Sequence, residues 1–591
     1  MSHRAVASVL GAAALLAASV AGASTASAMA SGATTPATHA FGSIPVYSAV
    51  QEVISVTATG EPVTFGPSPT IEPVGGALDQ ADDYSVVSEN CSSVTLPTGD
   101  TCTVTVEFRP FAAGLRQANL SVVTTSPVAT VLVALSGTGV PNATGTYYGL
   151  TTPTRFLDTR VSGTKAPLAA GSTTALQIAG VAGSGIPAKG VSAAVINVTA
   201  VGTTTQGYFT VFPSDTPRPV ASTINFPAGW TGANMATVPL GADGRIKIYN
   251  NGGRAHAIVD VLGWYAKDDT VRAAKGMGAQ FLSTASGDPQ RIYDSRDPLY
   301  GPVLPFQGGD YIEFTDTWDS EASASAVKAY AVNITAVNAT ASGVLTAWAG
   351  GLAPKPTAST VNYVKGTVAP NMTVVPAGHY STTDTGFRIL DTGQGSVHII
   401  VDVTGYYVAD DSAGMRFKPL TTAASPQRIL DTRTGVGLSG SFGSKQTRTA
   451  PATSVASSDS IYVVGNTTGD RPTLRTFLTI WSGDNPRPNT SNLNVNAGAT
   501  RAVSTYAPLA FDNTTSDLTY NVYNDAGSMR VIFDAAGTLD LYPGSALLAT
   551  AAKTSTVAGD ARTADRTLAG RTIPGARTFA SGHESTTVHR N

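Results

Sequence analysis

The sequence predicts an all-β chain of tandem antiparallel β-sandwich domains: one sandwich followed by three related sandwich or jelly-roll-like modules. Three observations carry this expectation. Short runs alternate apolar and polar residues, as in Thr103-Val-Thr-Val-Glu-Phe108, which sets Val104, Val106 and Phe108 on one face. No segment sustains a helical period, and 60 Gly and 35 Pro supply turns between β-branched strands. Finally, one motif occurs three times, as Arg155-Phe-Leu-Asp158-Thr-Arg160, Arg291-Ile-Tyr-Asp294-Ser-Arg296 and Arg428-Ile-Leu-Asp431-Thr-Arg433, at spacings of 136 and 137 residues. A period of that size marks a module copied in tandem, each copy burying its own core.

At 591 residues the chain exceeds a single core and should hold about four domains. Charged residues make up 13% and the net charge is −3, so no broad field selects nucleic acid or an anionic membrane. Arg4, the apolar run 5–20 and the small residues Ala26-Ser-Ala28 read as a secretory signal, placing a signal peptide at 1–28 and a linker at 29–40. No Cys stands directly after the apolar run, so a lipid anchor is not expected, and no later stretch approaches a membrane span; the mature protein is expected to be exported and soluble, or held at the surface non-covalently. The tail 544–591 is rich in Ala, Thr, Arg and Gly without apolar period and is expected to be disordered.

The first domain, 41–140, contains several alternating runs, among them Val131-Leu-Val-Ala-Leu135 closed by Ser136-Gly-Thr-Gly139. Cys91 and Cys102 are the two cysteines of the chain. In an oxidising compartment such a pair most simply forms a disulfide. A pair of metal-binding thiolates is the alternative, although no His or third Cys stands nearby. The segments Asp83-Tyr-Ser-Val, Asn90-Cys91, Leu96-Pro-Thr-Gly-Asp-Thr-Cys102, Phe108-Arg-Pro-Phe-Ala-Ala-Gly114 and Leu135-Ser-Gly-Thr-Gly139 resemble the bacterial choice-of-anchor D module, related to ASPM–SPD-2–Hydin domains. The resemblance implies an immunoglobulin-like sandwich with a disulfide near one end and no enzymatic activity.

The repeats span 146–266, 278–408 and 415–542. After the Arg-x-x-Asp-x-Arg strand comes a β-branched strand, Val195-Ile-Asn-Val-Thr-Ala200 or Val332-Asn-Ile-Thr-Ala336. The next strand ends in an aromatic: Gly207-Tyr-Phe-Thr-Val-Phe212, Gly343-Val-Leu-Thr-Ala-Trp348 and Thr476-Phe-Leu-Thr-Ile-Trp481. A basic-Pro turn then leads into Ser222-Thr-Ile-Asn225, Ser359-Thr-Val-Asn362 or Ser491-Asn-Leu-Asn494. Each copy closes on an apolar strand bearing one acid, Asp260, Asp402 or Asp534. About eight strands per copy suit a sandwich or jelly-roll-like barrel. The Leu-Asp-Thr-Arg opening and the endings Asp260-Val-Leu-Gly-Trp-Tyr265 and Asp402-Val-Thr-Gly-Tyr-Tyr407 resemble a repeat of secreted actinobacterial proteins, which implies a cell-surface setting. Copy three departs, with Asp534-Ala-Ala-Gly-Thr-Leu539 and without the Asn-Met of Asn234-Met235 and Asn371-Met372.

Two readings fit the opening motif. On a regular strand Asp158 and Arg160 share a face, with Arg155 opposite, and an exposed guanidinium fork would suit a carboxylate, phosphate or sugar acid. The favoured reading is an internal clamp in which an Arg pairs with the closing acid, Asp260, Asp402 or Asp534, tying first strand to last. The same choice applies to Arg291, Asp294 and Arg296, and to Arg428, Asp431 and Arg433. His256 and His398 precede Asp260 and Asp402 by four residues, but copy three has Arg530 there, so solvent-facing or salt-bridging histidines are favoured over a catalytic pair. Phe212, Trp348 and Trp481, beside Arg218, Lys355 and Arg487, are ligand-binding candidates as sugar-stacking aromatics, although a core role is favoured. The sequons at Asn197 and Asn333 fall in buried strands and read as strand composition.

No catalytic signature, phosphate-binding loop or metal-ligand cluster is legible, and neither cofactor nor metal is expected. The sequence therefore points to a secreted, non-enzymatic cell-surface structural or adhesion protein. A carbohydrate- or wall-binding accessory protein is the alternative, with a glycan hydrolase third. Cell-wall glycan or surface proteins are the expected partners, and the oligomeric state is not legible.

Overall fold

Strand follows strand throughout the computed structural model, which describes residues 32–542 and 586–589 except 47, 76–77, 112, 162–164, 285, 410–413, 421–424, 513 and 516. The expected signal peptide lies outside the described residues, as does most of the tail. The chain divides into a unit comprising Met1–Ile44 and Ser48–Gly139 and a unit comprising Pro45–Tyr47 and Val140–Asn591.

The first unit is a two-sheet sandwich. One sheet orders Gly32–Thr34, Val50–Thr59, Thr101–Phe108 and Tyr84–Glu89; the other centres on the long pair Gly114–Ser126 and Val128–Val140. Val104, Val106 and Phe108 alternate into the core with Ile54 and Val56 opposite. Cys91 and Cys102, both buried, are joined as a disulfide. The sandwich begins earlier than the sequence suggested, because Gly32–Thr34 pairs with Thr57–Thr59 and Thr38–Pro45 flanks Val128–Val140, all within or across the expected linker. Gly32-Ala-Thr34 offers a single apolar side chain, so its pairing through the backbone leaves no pattern to read.

In the second unit each repeat is a sandwich of the same topology. In repeat 1 one sheet orders Tyr147–Asp158, His256–Ala266, Val191–Val201 and Gly232–Pro239. The facing sheet orders Thr173–Gln177, Arg245–Asn250, Gly207–Pro213 and Ile224–Phe226. Opening and closing strands are neighbours in every copy. The tail is not featureless at its end: Thr586–His589 pairs antiparallel with Tyr311–Phe314 at the edge of the outer sheet of repeat 2, and the His589 ring stacks 4.3 Å from Tyr311. Four residues of backbone pairing need no apolar period, which is why composition missed them.

The three repeats also share a core, which a bead-like array would lack. On Val191–Val201, Ala194, Ile196 and Val198 point into the repeat's own sandwich, while Ala193 and Val195 point the other way. Ala329 and Ala331 of repeat 2, and Tyr462 and Val464 of repeat 3, do the same. Together with Tyr147, Phe281 and Phe417 they form one cluster fed by all three copies. Strands buried on both faces lose the apolar–polar alternation. Backbone bonds link the copies around this cluster: Tyr147 with Ala279, Phe281 with Met415, and the Phe417 N–H with the Gly145 carbonyl at 2.9 Å.

At the centre of the cluster the Tyr407 hydroxyl bonds to that of Tyr265 and, at 3.1 Å, to that of Tyr506. Copy three has Leu539 where the others have Tyr265 and Tyr407, and it supplies its hydroxyl from another strand, at Tyr506. Burial pushes all three phenols above their ordinary range.

Candidate functional site

The motif residues meet at the seams between repeats. Arg155 grips Asp260 with Nε at 2.9 Å and Nη2 at 3.2 Å. Arg291 holds Asp402 at 2.8 and 3.3 Å, and Arg428 holds Asp534 at 2.8 and 3.2 Å, so opening and closing strands are tied in every copy. Arg155 does not point away from Asp158: a β-bulge between Arg155 and Leu157 turns it to the same side, with Nη1 3.4 Å from Asp158. Asp158, Asp294 and Asp431 in turn each accept two guanidinium bonds, from Arg160, Arg296 and Arg433. The Arg160 bond holds the Asp158 carboxyl down to about 2, against the upward push of burial. Burial pushes Asp260, Asp402 and Asp534 above the usual carboxylate range, against the pull of their arginines.

These acids also reach across the seams. The Ser491 backbone helps lower the Asp402 carboxyl, and the Ser222 backbone that of Asp534. The carbonyls of the same serines accept from buried asparagines. Asn197 of repeat 1 donates to Ser359 of repeat 2 at 2.7 Å, and Asn333 of repeat 2 to Ser491 of repeat 3 at 2.7 Å. Asn466 of repeat 3 donates to Ser222 of repeat 1 at 2.6 Å, closing a ring of three. Each serine side chain bonds the asparagine three residues on, Asn225, Asn362 or Asn494, which fixes the turn that presents the carbonyl.

A second set of asparagines completes two of the seams. Asn371 donates to Asn197 Oδ1 at 3.0 Å and accepts from the Met235 N–H at 2.9 Å. Asn234 donates to Asn466 Oδ1 at 2.8 Å and accepts from the Ser504 N–H at 3.0 Å. In repeat 3 the corresponding residue is Val503, and Asn333 Oδ1 is buried without a hydrogen-bond partner among the described residues. The absence of Asn-Met from copy three thus changes a seam. Apart from the sequons at Asn197 and Asn333, the sequence marks Asn197, Asn333 and Asn466 only as a lone amide in an apolar strand. In a buried strand such an amide demands a partner.

The histidines follow the same logic. His256 and His398 bond Thr159 Oγ1 at 3.0 Å and Ser295 Oγ at 2.9 Å, and burial pushes the His398 imidazole down. Arg530, their counterpart, faces Asp470 at 3.1 Å, where the other copies have Val201 and Val337. Phe212, Trp348 and Trp481 are 3%, 7% and 4% exposed, so they present no ring to a sugar, yet none joins the apolar cluster at the centre of its own sandwich. Trp348 and Trp481 spend their indole N–H groups on the Ala353 and Asn485 carbonyls. Beside them Arg218, Lys355 and Arg487 are exposed, with Arg218 3.8 Å over Tyr249 and Arg487 3.6 Å over Tyr523. No group of three or more His, Cys, Asp or Glu side chains is placed to hold a metal among the described residues. No helix among them is long and apolar enough to cross a membrane.

No family model and no curated protein matches the chain. Among solved structures it is similar to the VesB protease of Vibrio cholerae, at 20% identity over 18% of this chain and 31% of that one, with a TM-score of 0.15. The secreted serine protease VesC of the same organism matches at 12% identity over 40% of this chain and 51% of that one, TM-score 0.16. The chain therefore spans less than two thirds of either protease. A triple jelly-roll protein of an archaeal virus matches at 9% identity over 66% of this chain and 90% of that one, TM-score 0.13. At these scores the likenesses assign neither fold nor function.

Proposed function

We propose that this chain is an exported, non-enzymatic surface protein with a structural or adhesive role, in which the closed three-repeat unit is a rigid platform. The ring of bonds from Asn197, Asn333 and Asn466 to the next repeat's serine carries this reading. The residues that recur in every copy are spent inside the fold: arginine is paired with acid, asparagine is bonded to serine, and the aromatics are buried. Recurrence of that kind builds a scaffold. A second reading, a carbohydrate- or wall-binding accessory protein, is favoured by one observation, a basic groove between repeats 2 and 3.

The test is exposure on intact producing cells. External protease should remove the protein from whole cells, and its deletion should alter cell attachment or surface integrity without changing release of soluble sugars. Protection from external protease until lysis would overturn the surface assignment, and loss of a sugar-releasing activity on deletion would overturn the non-enzymatic one.

A further inference from the structure

The seam between repeats 2 and 3 opens into a groove of about 470 Å³, within the size range of small-ligand sites, about 300–1,000 Å³. Four guanidinium groups line it: Arg291 and Arg296 from repeat 2, Arg475 and Arg487 from repeat 3. Asp402 and Asp294 already engage the first two. Arg475 and Arg487 are exposed, and neither has an ion-pair partner among the described residues. The Arg487 guanidinium sits 3.6 Å over the Tyr523 ring, which holds it at the groove wall. Asp525 also lines the groove, but Lys445 holds it at 2.6 Å and the Tyr523 hydroxyl at 3.1 Å.

One further guanidinium adds positive charge at this seam. Behind Val368, Arg501 bonds the Val368 and Pro370 carbonyls at 3.4 and 3.2 Å and meets no carboxylate among the described residues. Burial pushes this guanidinium down to about 10, which leaves it charged at neutral pH. Arg475, Arg487 and Arg501 thus bring positive charge to this seam that no carboxylate pairs among the described residues.

The other two seams lack the combination. The position of Arg475 is Gln206 in repeat 1 and Ser342 in repeat 2, and that of Arg487 is Arg218 and Lys355. Where Val337 walls this groove, repeat 3 supplies Asp470 to the seam it shares with repeat 1. Divergence of the copies thus concentrates free guanidinium forks in one seam.

We propose that this groove binds an anionic extracellular polymer, with Arg475 and Arg487 gripping its carboxylate or phosphate oxygens. Planar guanidinium forks match both oxyanions bidentately, and an open groove admits an internal segment of a polymer. The proposal deepens the surface reading above and rests on it for the ligand being an external polymer.

The experiment is calorimetric titration of the full chain, at low and physiological salt, with oligogalacturonate, with poly(glycerol phosphate) and with neutral dextran. Binding of one or both anionic polymers, weakened by salt and absent for dextran, is expected; which one binds separates carboxylate from phosphate. The double variant Arg475→Gln, Arg487→Gln should lose about tenfold or more in affinity, as two charge-assisted contacts are removed, with unchanged melting. Lys355→Gln, at the equivalent position of another seam, should bind as the unaltered protein does. Undiminished affinity in the double variant, equal binding of dextran, or no binding of either anionic polymer at low salt would overturn the site. Cell-surface exposure is read separately by external protease, so the two proposals fail independently.

Discussion

Asn466 in the third repeat donates its side-chain amide to the Ser222 carbonyl of the first at 2.6 Å, so the last copy is bonded back to the one where the series began. Its Oδ1 accepts from Asn234, also of repeat 1. Asn333, at the equivalent place, makes its bond to Ser491 but leaves its oxygen unpartnered among the described residues. Asn466→Ala should cost about 2–3 kcal/mol, because it leaves the Ser222 carbonyl without its amide and Asn234 with only its bond to the Thr223 carbonyl, and Asn333→Ala about 1 kcal/mol less. Chemical denaturation of the two variants checks the order. Equal losses would count against the Val503 explanation.

Asp402 is 1% exposed and holds Arg291, itself 13% exposed at its side chain. Asp402→Asn leaves Arg291 with only the Asp294 carboxylate, 3.5 Å away, and should destabilise the second unit by about 3 kcal/mol. Denaturant midpoints measure this. A variant of unchanged stability would mean that the strand tie is dispensable.

The Asp158 carboxyl, held down to about 2 by Arg160, sets a pH dependence. A carboxyl depressed in the folded state stabilises fully above its unfolded value, about 3.9, and that contribution fades as pH falls through the folded one. The stability difference between the unaltered chain and Asp158→Asn should therefore be largest at neutral pH and shrink between pH about 4 and 2. Paired denaturation curves across that window read it, and a difference that grew on acidification would reverse the assigned sign.

The Cys91–Cys102 bridge spans a sequence separation of 11 in the first unit. Cys91→Ala should lower that unit's stability by about 3 kcal/mol on the chain-entropy account. Calorimetry should show its transition moving down while that of the second unit stays in place.

The strands and the module period were legible because alternation and a repeated Arg-x-x-Asp-x-Arg need no tertiary knowledge. Pairing of Arg155 with Asp260 could be weighed but not decided, because the closing strand is apolar on both sides, and the bulge that reorients Arg155 leaves no mark in sequence. The shared core was hidden for the same reason. Ala193 and Val195 look like continuations of a single-core strand until another copy covers them. Asn197 was read as strand composition, since a bond to Ser359 in the next copy has no local spacing. Tyr506 standing in for a hydroxyl missing at Leu539 is a compensation between strands, visible only once both are placed.

The account stands on the three repeats being one structural unit, and hydrogen exchange on the full chain carrying Phe281→Ala tests this most directly. Phe281 is 0% exposed and its ring lies 5.4 Å from Tyr407 of its own repeat and 5.4 and 5.7 Å from Tyr462 and Tyr506 of repeat 3. The truncation should cost about 3–5 kcal/mol. Protection is predicted to fall in Val191–Val201 of repeat 1 and Ser460–Asp470 of repeat 3 as well as in Val327–Val337 of repeat 2. Loss of protection confined to repeat 2 would show three independent modules and contradict the closed unit.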